Sequence, residues 1–203
     1  MNFINNIKRI WIVFFAFILF TPIVYAAESA SINFSINIPP YMEIQTVTNS
    51  VLTAHITDDT GNLYSPLQSR FKIISNQADD QTLYLKANTI TDNGYESALF
   101  ERGGVVYIAF SNIEKKPTSE ALANCKYGAR AKESPGVVAY PIIGIYGAKS
   151  KYKAEKNKYE LYVKNGVTDI LVNVGQNVLK SSFASNDPKG FYQATLSITE
   201  ADI

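Results

Sequence analysis

An antiparallel all-β sandwich is the fold class that this 203-residue sequence predicts. Three observations carry it. Short runs of alternating apolar and polar residues recur along the chain, the period of a half-buried strand. Clusters of Gly, Asn, Asp and Pro punctuate these runs at about the 8–12-residue spacing of sandwich strands. No long stretch repeats its apolar residues at helical spacing. The count is nine or ten strands, and a sandwich is favoured over a closed barrel.

The chain opens with Lys8 and Arg9, then an unbroken apolar run over residues 10–20, the Thr21-Pro22 break and Val24-Tyr25-Ala26. This is the layout of a secretory signal peptide, and the run is shorter than the about 20 residues a membrane span needs. Cleavage is expected after Ala26, leaving one domain over 27–203 and no tryptophan, because Trp11 is the only one. Export to the periplasm, the cell surface or the medium follows, with the membrane met only through the leader.

Residues 31–38 alternate without a fault, Ile32, Phe34, Ile36 and Ile38 on one face, until Pro39-Pro40 ends the ladder. Residues 41–47 and 51–57 read as extended, followed by a turn at Asp58-Asp59-Thr60-Gly61-Asn62. Residues 70–75 and 82–87 flank a polar loop and predict a hairpin; a second hairpin is expected around Asp92-Asn93-Gly94. Gly103-Gly104 opens a β-branched and aromatic run, 105–110, with the composition of a central strand. The pattern fails over 111–135, which reads as a long loop with about one helical turn at 119–123. Residues 137–146 predict a bent or bulged strand, because Pro141 and Gly144 interrupt an apolar run. A lysine- and tyrosine-rich segment follows, then Asn165-Gly166 as a hairpin turn before a strand over 167–174. Asn186-Asp187-Pro188-Lys189-Gly190 turns the chain into a last strand with Tyr192, Ala194, Leu196 and Ile198 on one face.

The 19 basic side chains include Lys8 and Arg9 of the leader, so 17 basic and 18 acidic ones would remain, a formal charge of −1. Nothing global draws such a chain to nucleic acid or an anionic membrane. Cys125 is the only cysteine, so no intramolecular disulfide forms, and a buried thiol in a strand or loop is expected. Asp59-Thr60-Gly61 matches the aspartic-protease triplet, but that chemistry needs two carboxylates sharing a proton, and the sequence holds one copy; a turn is the better reading. His55 is the sole histidine and lies within an expected strand. One His and one Cys cannot build a zinc site. Asp58-Asp59 and Asp79-Asp80 read as solvated turns. No catalytic residue, metal or cofactor is therefore expected. The 149–164 segment, with Lys151, Lys153, Tyr152, Tyr159 and Tyr162, is a candidate face for a glycan or protein ligand, against the simpler reading of a solvated hairpin whose lysines deter edge pairing.

An export signal followed by an alternating strand, a Tyr-rich β domain and a closing Gly190-x-Tyr192-x-Ala194-x-Leu196-x-Ile198 resembles the fimbrial subunits of bacteria and related secreted β-sandwich surface proteins. Asp202 stands where those pilins commonly carry a penultimate Tyr, and the disulfide of many of them has no counterpart. The resemblance covers the two ends of the chain. It implies an Ig-like or pilin-like sandwich, self-association or assembly with other fimbrial subunits, a periplasmic chaperone as partner, and strand donation. Ile32, Phe34, Ile36 and Ile38 would then be the donated knobs, with Gly190, Tyr192, Ala194, Leu196 and Ile198 on the acceptor strand. Both segments pairing within one chain is the alternative.

Overall fold

The computed structural model describes residues 33, 35–48, 51–54, 67–128, 134–175 and 187–200. Outside them lie the expected leader, Ile32, Phe34, His55 and the turn at 58–62. By internal contact the chain divides into two units, 1–38 and 39–203. In the first, residues 33 and 35–38 carry no regular structure, so the strand expected over 31–38 is not formed at these positions. Ile36 and Ile38 are 88% and 74% exposed. Alternation makes a half-buried strand only where a ladder and an apolar surface receive it.

The second unit is antiparallel β with one helix among the described residues. Its strands are β1 (Met42–Thr46), β2 (Val51–Ala54), β3 (Leu67–Ser75), β4 (Gln81–Thr91), β5 (Gly94–Ser97), β6 (Leu99–Arg102) and β7 (Val105–Asn112). Helix α1 (Ser119–Tyr127) follows, then β8 (Val137–Tyr146), β9 (Lys149–Lys153), β10 (Lys158–Val163), β11 (Gly166–Val174) and β12 (Tyr192–Thr199). The strand path runs β1-β3-β11-β8-β7-β12-β4-β10-β9, with β2 on β12, β5 on β4 and β6 on β7.

Strand β8 joins two sheets. Its first half pairs β7 up to Tyr107↔Pro141, and its second half pairs β11 from Val174↔Ile142 to Leu171↔Tyr146, with a register shift at Asn173/Val174. Pro141, which has no N–H to give, and Gly144 fall at this change of partner, as the sequence predicts. The Pro141 carbonyl still accepts from the Gly175 N–H at 2.9 Å.

Alternation sets the core. Phe71 and Ile73 of β3, Leu83, Leu85 and Ala87 of β4, Ile170, Val172 and Val174 of β11, and Tyr192, Ala194, Leu196 and Ile198 of β12 are buried in one cluster. Burying each Leu- or Ile-sized side chain contributes about 1.5–3 kcal/mol. In β7 every residue from Val106 onward is buried, so both faces are covered, the mark of a central strand.

The β4–β5 hairpin forms at Asp92-Asn93 (Thr91↔Gly94), and Gly103-Gly104 closes β6–β7 with φ of 61° and 78°. Two successive positive φ values give the turn whose twist suits a two-residue hairpin, and only glycine takes them without strain. Two other expected hairpins do not form. Strand β3 pairs β1 and β11, whereas β4 pairs β5, β10 and β12, so the 76–80 loop crosses between sheets. Likewise Asn165-Gly166 leads from β10, on β4 and β9, to β11, on β3 and β8. A short polar link between alternating strands has the same local chemistry whether it closes a hairpin or carries the chain to the facing sheet.

The expected loop over 111–135 is also corrected. Strand β7 extends to Asn112, and α1 is nine residues long. The Thr118 side chain accepts from Ala121 N–H at 3.0 Å, and Gly128 closes the helix at φ 95° with its N–H directed to the Asn124 and Cys125 carbonyls. Leu122 and Cys125 are buried on its inner side, so the thiol sits in a helix rather than a strand or loop.

Candidate functional surfaces

The acceptor residues of the sequence reading stand on β12 with their side chains in the chain's own core: Tyr192, Ala194, Leu196 and Ile198 are all under 10% exposed. Gly190 precedes the strand at φ 138°, and the Tyr192 hydroxyl donates to the Pro188 carbonyl at 2.8 Å, anchoring the entry turn. What β12 can offer another strand is therefore backbone. Strand β2 pairs with it over Tyr192↔Ala54 to Thr195↔Val51, and β4 over Thr195↔Asn88 to Thr199↔Tyr84. From Leu196 to Ile198, β4 is its only partner among the described strands.

The lysine- and tyrosine-rich segment is the β9–β10 hairpin, closed by a 3-10 turn, Ala154–Lys156, and by Asn157 at φ 48°. Its register pairs Tyr159↔Tyr152 and Glu160↔Lys151. Successive residues of a strand face opposite ways, so this register splits the expected ligand face. Tyr152 and Tyr159 make an edge-to-face pair, centroids 5.1 Å apart, packed against the core. Lys151, Lys153, Glu160 and Tyr162 stand on the other side. There Glu160 accepts from the Tyr162 hydroxyl at 2.8 Å and lies 3.5 Å from the Lys153 ammonium. The Tyr162 bond is the main reason the Glu160 carboxyl is held below its usual range. Burial pushes the Tyr152 phenol up to about 12 and raises Tyr159 further. The five residues do not form one binding face.

Lys158 was not singled out by sequence. Only 2% of it is exposed, and its ammonium lies 4.2 Å from the centroid of the Tyr84 ring, a cation–π seat. Desolvation lowers its pKa, and the charges of Lys156 and Lys86 lower it further against the opposing pull of Glu160 and Glu155. Lys86, Lys156 and Lys158 line one cleft of about 460 Å³ with Ala87, Asn88, Ser97 and Asn157.

Cys125 is 4% exposed, and burial pushes its thiol up to about 12 despite the nearby Arg102 and Lys126 charges. It is placed as a packing residue. Asp79 and Asp80 are both exposed. Among the described residues no three His, Cys, Asp or Glu side chains gather as a metal site, and no helix is long and apolar enough to cross a membrane. No protein-family model, no curated protein and no solved structure matches this chain.

Proposed function

We propose that the protein is an exported, non-enzymatic structural subunit of a bacterial surface or fimbrial assembly, joined to its neighbours by donation of the segment around residues 32–38. The observation that carries this is the state of Ile36 and Ile38. Two large apolar side chains spaced by two stand in solvent on a segment without regular structure, immediately before the prolines that precede β1. Burial of such side chains in pockets of another subunit, with backbone bonds to a sheet edge, is the chemistry of strand addition. The stretch Leu196–Ile198 of β12, paired only with β4 among the described strands, is the edge that such a donor would meet. Two sheets joined through β8, with their buried faces in one core, suit an Ig-like or pilin-like sandwich, and a leader at 1–26 suits export.

The test is assembly of the exported protein. Detergent-resistant ladders on gels without boiling are expected for the parent chain, with collapse to monomer in Ile36→Asp. A strictly monomeric parent under every export condition would sink the proposal. A broad ligand platform on the β9–β10 hairpin is less well supported, because Tyr152 and Tyr159 turn toward the core.

A further inference from the structure

A shallow cup on the outer face of β4, β5 and β12 goes beyond strand donation and needs nothing from the donor segment. Alternation places its parts. Tyr192, Ala194 and Leu196 point into the core, so Gln193 and Thr195 face outward, and the pair Thr195↔Asn88 sets Asn88 beside them. Two residues further along β4, Ile90↔Tyr95 adds a second pair on that face. The β4–β12 ladder stops at Asn88, and beyond it β4 pairs β5. The Thr89 hydroxyl, donating to the Gln193 carbonyl at 2.9 Å, spans the gap; that bond uses the Gln193 backbone and not its side-chain amide. The opening is a depression of about 200 Å³, with Asn88, Gln193 and Thr195 as its polar part and Ile90, Tyr95 and Ile113 as its apolar part. Both walls are fastened. The β4–β5 hairpin is held to the start of α1, the Asp92 N–H donating to the Pro117 carbonyl at 2.9 Å, the Ser119 N–H to Asp92 Oδ1 at 3.2 Å and Asn93 Nδ2 to Ser119 Oγ at 3.0 Å. Opposite, the Ile113 N–H donates to the Phe191 carbonyl at 3.0 Å.

We propose that this cup binds one neutral sugar ring, a monosaccharide or the terminal unit of a glycan, with the C–H face of the ring on Tyr95 and its hydroxyls on Asn88, Gln193 and Thr195. The lining selects the ligand by exclusion. Among the described residues no charged side chain contributes to it, so neither an anion nor a cation gains an opposite charge. A purely apolar ligand would cover two amides and a hydroxyl without pairing them, which is costly. A sugar suits both parts. Each of its hydroxyls donates and accepts, as an Asn or Gln side chain does, while its C–H face packs on an aromatic ring. Size limits the ligand to a single ring, because about 200 Å³ falls short of the about 300–1,000 Å³ that encloses a drug-sized molecule. Tyr95 is 73% exposed, so core packing does not account for the ring, and the bonds from its hairpin to α1 hold it in place without a ligand. A ring already held loses little freedom when a sugar settles on it.

The test is NMR titration of the full chain with the methyl glycosides of glucose, galactose, mannose and N-acetylglucosamine, and with cyclohexanol, an apolar ring of similar size. Binding is read from amide shifts of residues 88–90, 95, 113 and 193–195. At least one glycoside is expected to saturate these shifts with a dissociation constant on the order of 1 mM, as suits a ligand of so few atoms, and salt should leave that value unchanged. Tyr95→Ala is expected to weaken binding about tenfold and Tyr95→Phe by less than about twofold, because the ring rather than the hydroxyl makes the contact. Asn88→Ala should cost about two- to tenfold, the worth of one neutral hydrogen bond. Asn88 and Tyr95 are both exposed, so thermal unfolding of these variants should stay unchanged. Tyr127→Ala, at an exposed tyrosine of α1 outside the cup, leaves binding within about twofold. The proposal is overturned if no glycoside shifts these residues, if cyclohexanol binds as tightly as the best glycoside, if Tyr95→Ala binds unchanged, or if Tyr127→Ala loses as much. Since the donor segment takes no part, Ile36→Asp should abolish ladders and leave the sugar shifts intact, which separates failure here from failure of the assembly proposal.

Discussion

At the scale of single residues, burial decides chemistry. The Cys125 thiol lies on the inner side of α1 with its pKa pushed up to about 12, so at neutral pH almost no thiolate is available to attack or be attacked. Labelling of the native protein by a disulfide reagent should therefore track unfolding, with rapid reaction only in denaturant; fast stoichiometric labelling of folded protein would contradict its placement. Leu196, fully buried on β12, is expected to cost about 2–5 kcal/mol on Leu196→Ala, measured as a lowered denaturant midpoint. Its burial was legible in sequence because strand period alone assigns the face. That of Lys158 was not. A lysine among lysines reads as solvated, and the ring that seats it, Tyr84, comes from β4, far away in sequence. The same limit applied to Tyr152 and Tyr159: their spacing suggested a shared surface with Lys151 and Lys153, and only the register of β9 on β10 shows that they face the core.

Elements were legible where the local chemistry has one structural outcome. Gly103-Gly104, Asp92-Asn93-Gly94 and the Pro141/Gly144 interruption each demand a particular backbone, and each is found. The links at 76–80 and 164–165 have two outcomes, hairpin or crossing, and the choice is made by the pairing of β3 with β11 and of β4 with β10. Helix α1 did carry signals, Thr118 at its N-cap and Gly128 at its end, but its apolar face is narrow, with Ala121, Leu122 and Cys125 as its buried residues. The cap can be tested by Thr118→Ala, expected to cost about 0.5–2 kcal/mol in denaturant unfolding. A harsher effect is expected at Gly147, in the turn between β8 and β9. Its φ is 92°, and a Cβ there would lie 1.7 Å from the Asp169 carbonyl oxygen of β11. Gly147→Ala must push two strands apart, beyond the about 1–2 kcal/mol of the left-handed backbone alone. Its melting temperature should fall more than that of Gly94→Ala, where a Cβ meets nothing within 4 Å.

For the molecule as a whole, buried acids that ionise late set the alkaline limit. Burial raises Cys125 from 9.0 and Tyr152 from 10.0 to about 12, and lifts Tyr159 and Tyr192 higher still. In the unfolded chain these groups lose their protons at their ordinary values, while the folded chain keeps them protonated. The stabilisation is thus complete below pH about 9 and is lost as pH climbs through the folded values. The denaturant midpoint should be insensitive to these groups at neutral pH and fall steeply between about pH 9 and 12; stability rising over that window would contradict the burial of the phenols. The proposed strand donation rests on a different feature, the exposed Ile36 and Ile38 together with a last strand whose Leu196–Ile198 stretch pairs with β4 alone among the described strands. The most direct test places a photo-activated cross-linking side chain at Ile36 in the full chain, mixes isotope-labelled with unlabelled copies, and maps the products by mass spectrometry. Strand donation predicts cross-links between differently labelled chains that fall on β12, around residues 196–198. Cross-links confined to a single chain, or none between copies, would contradict it.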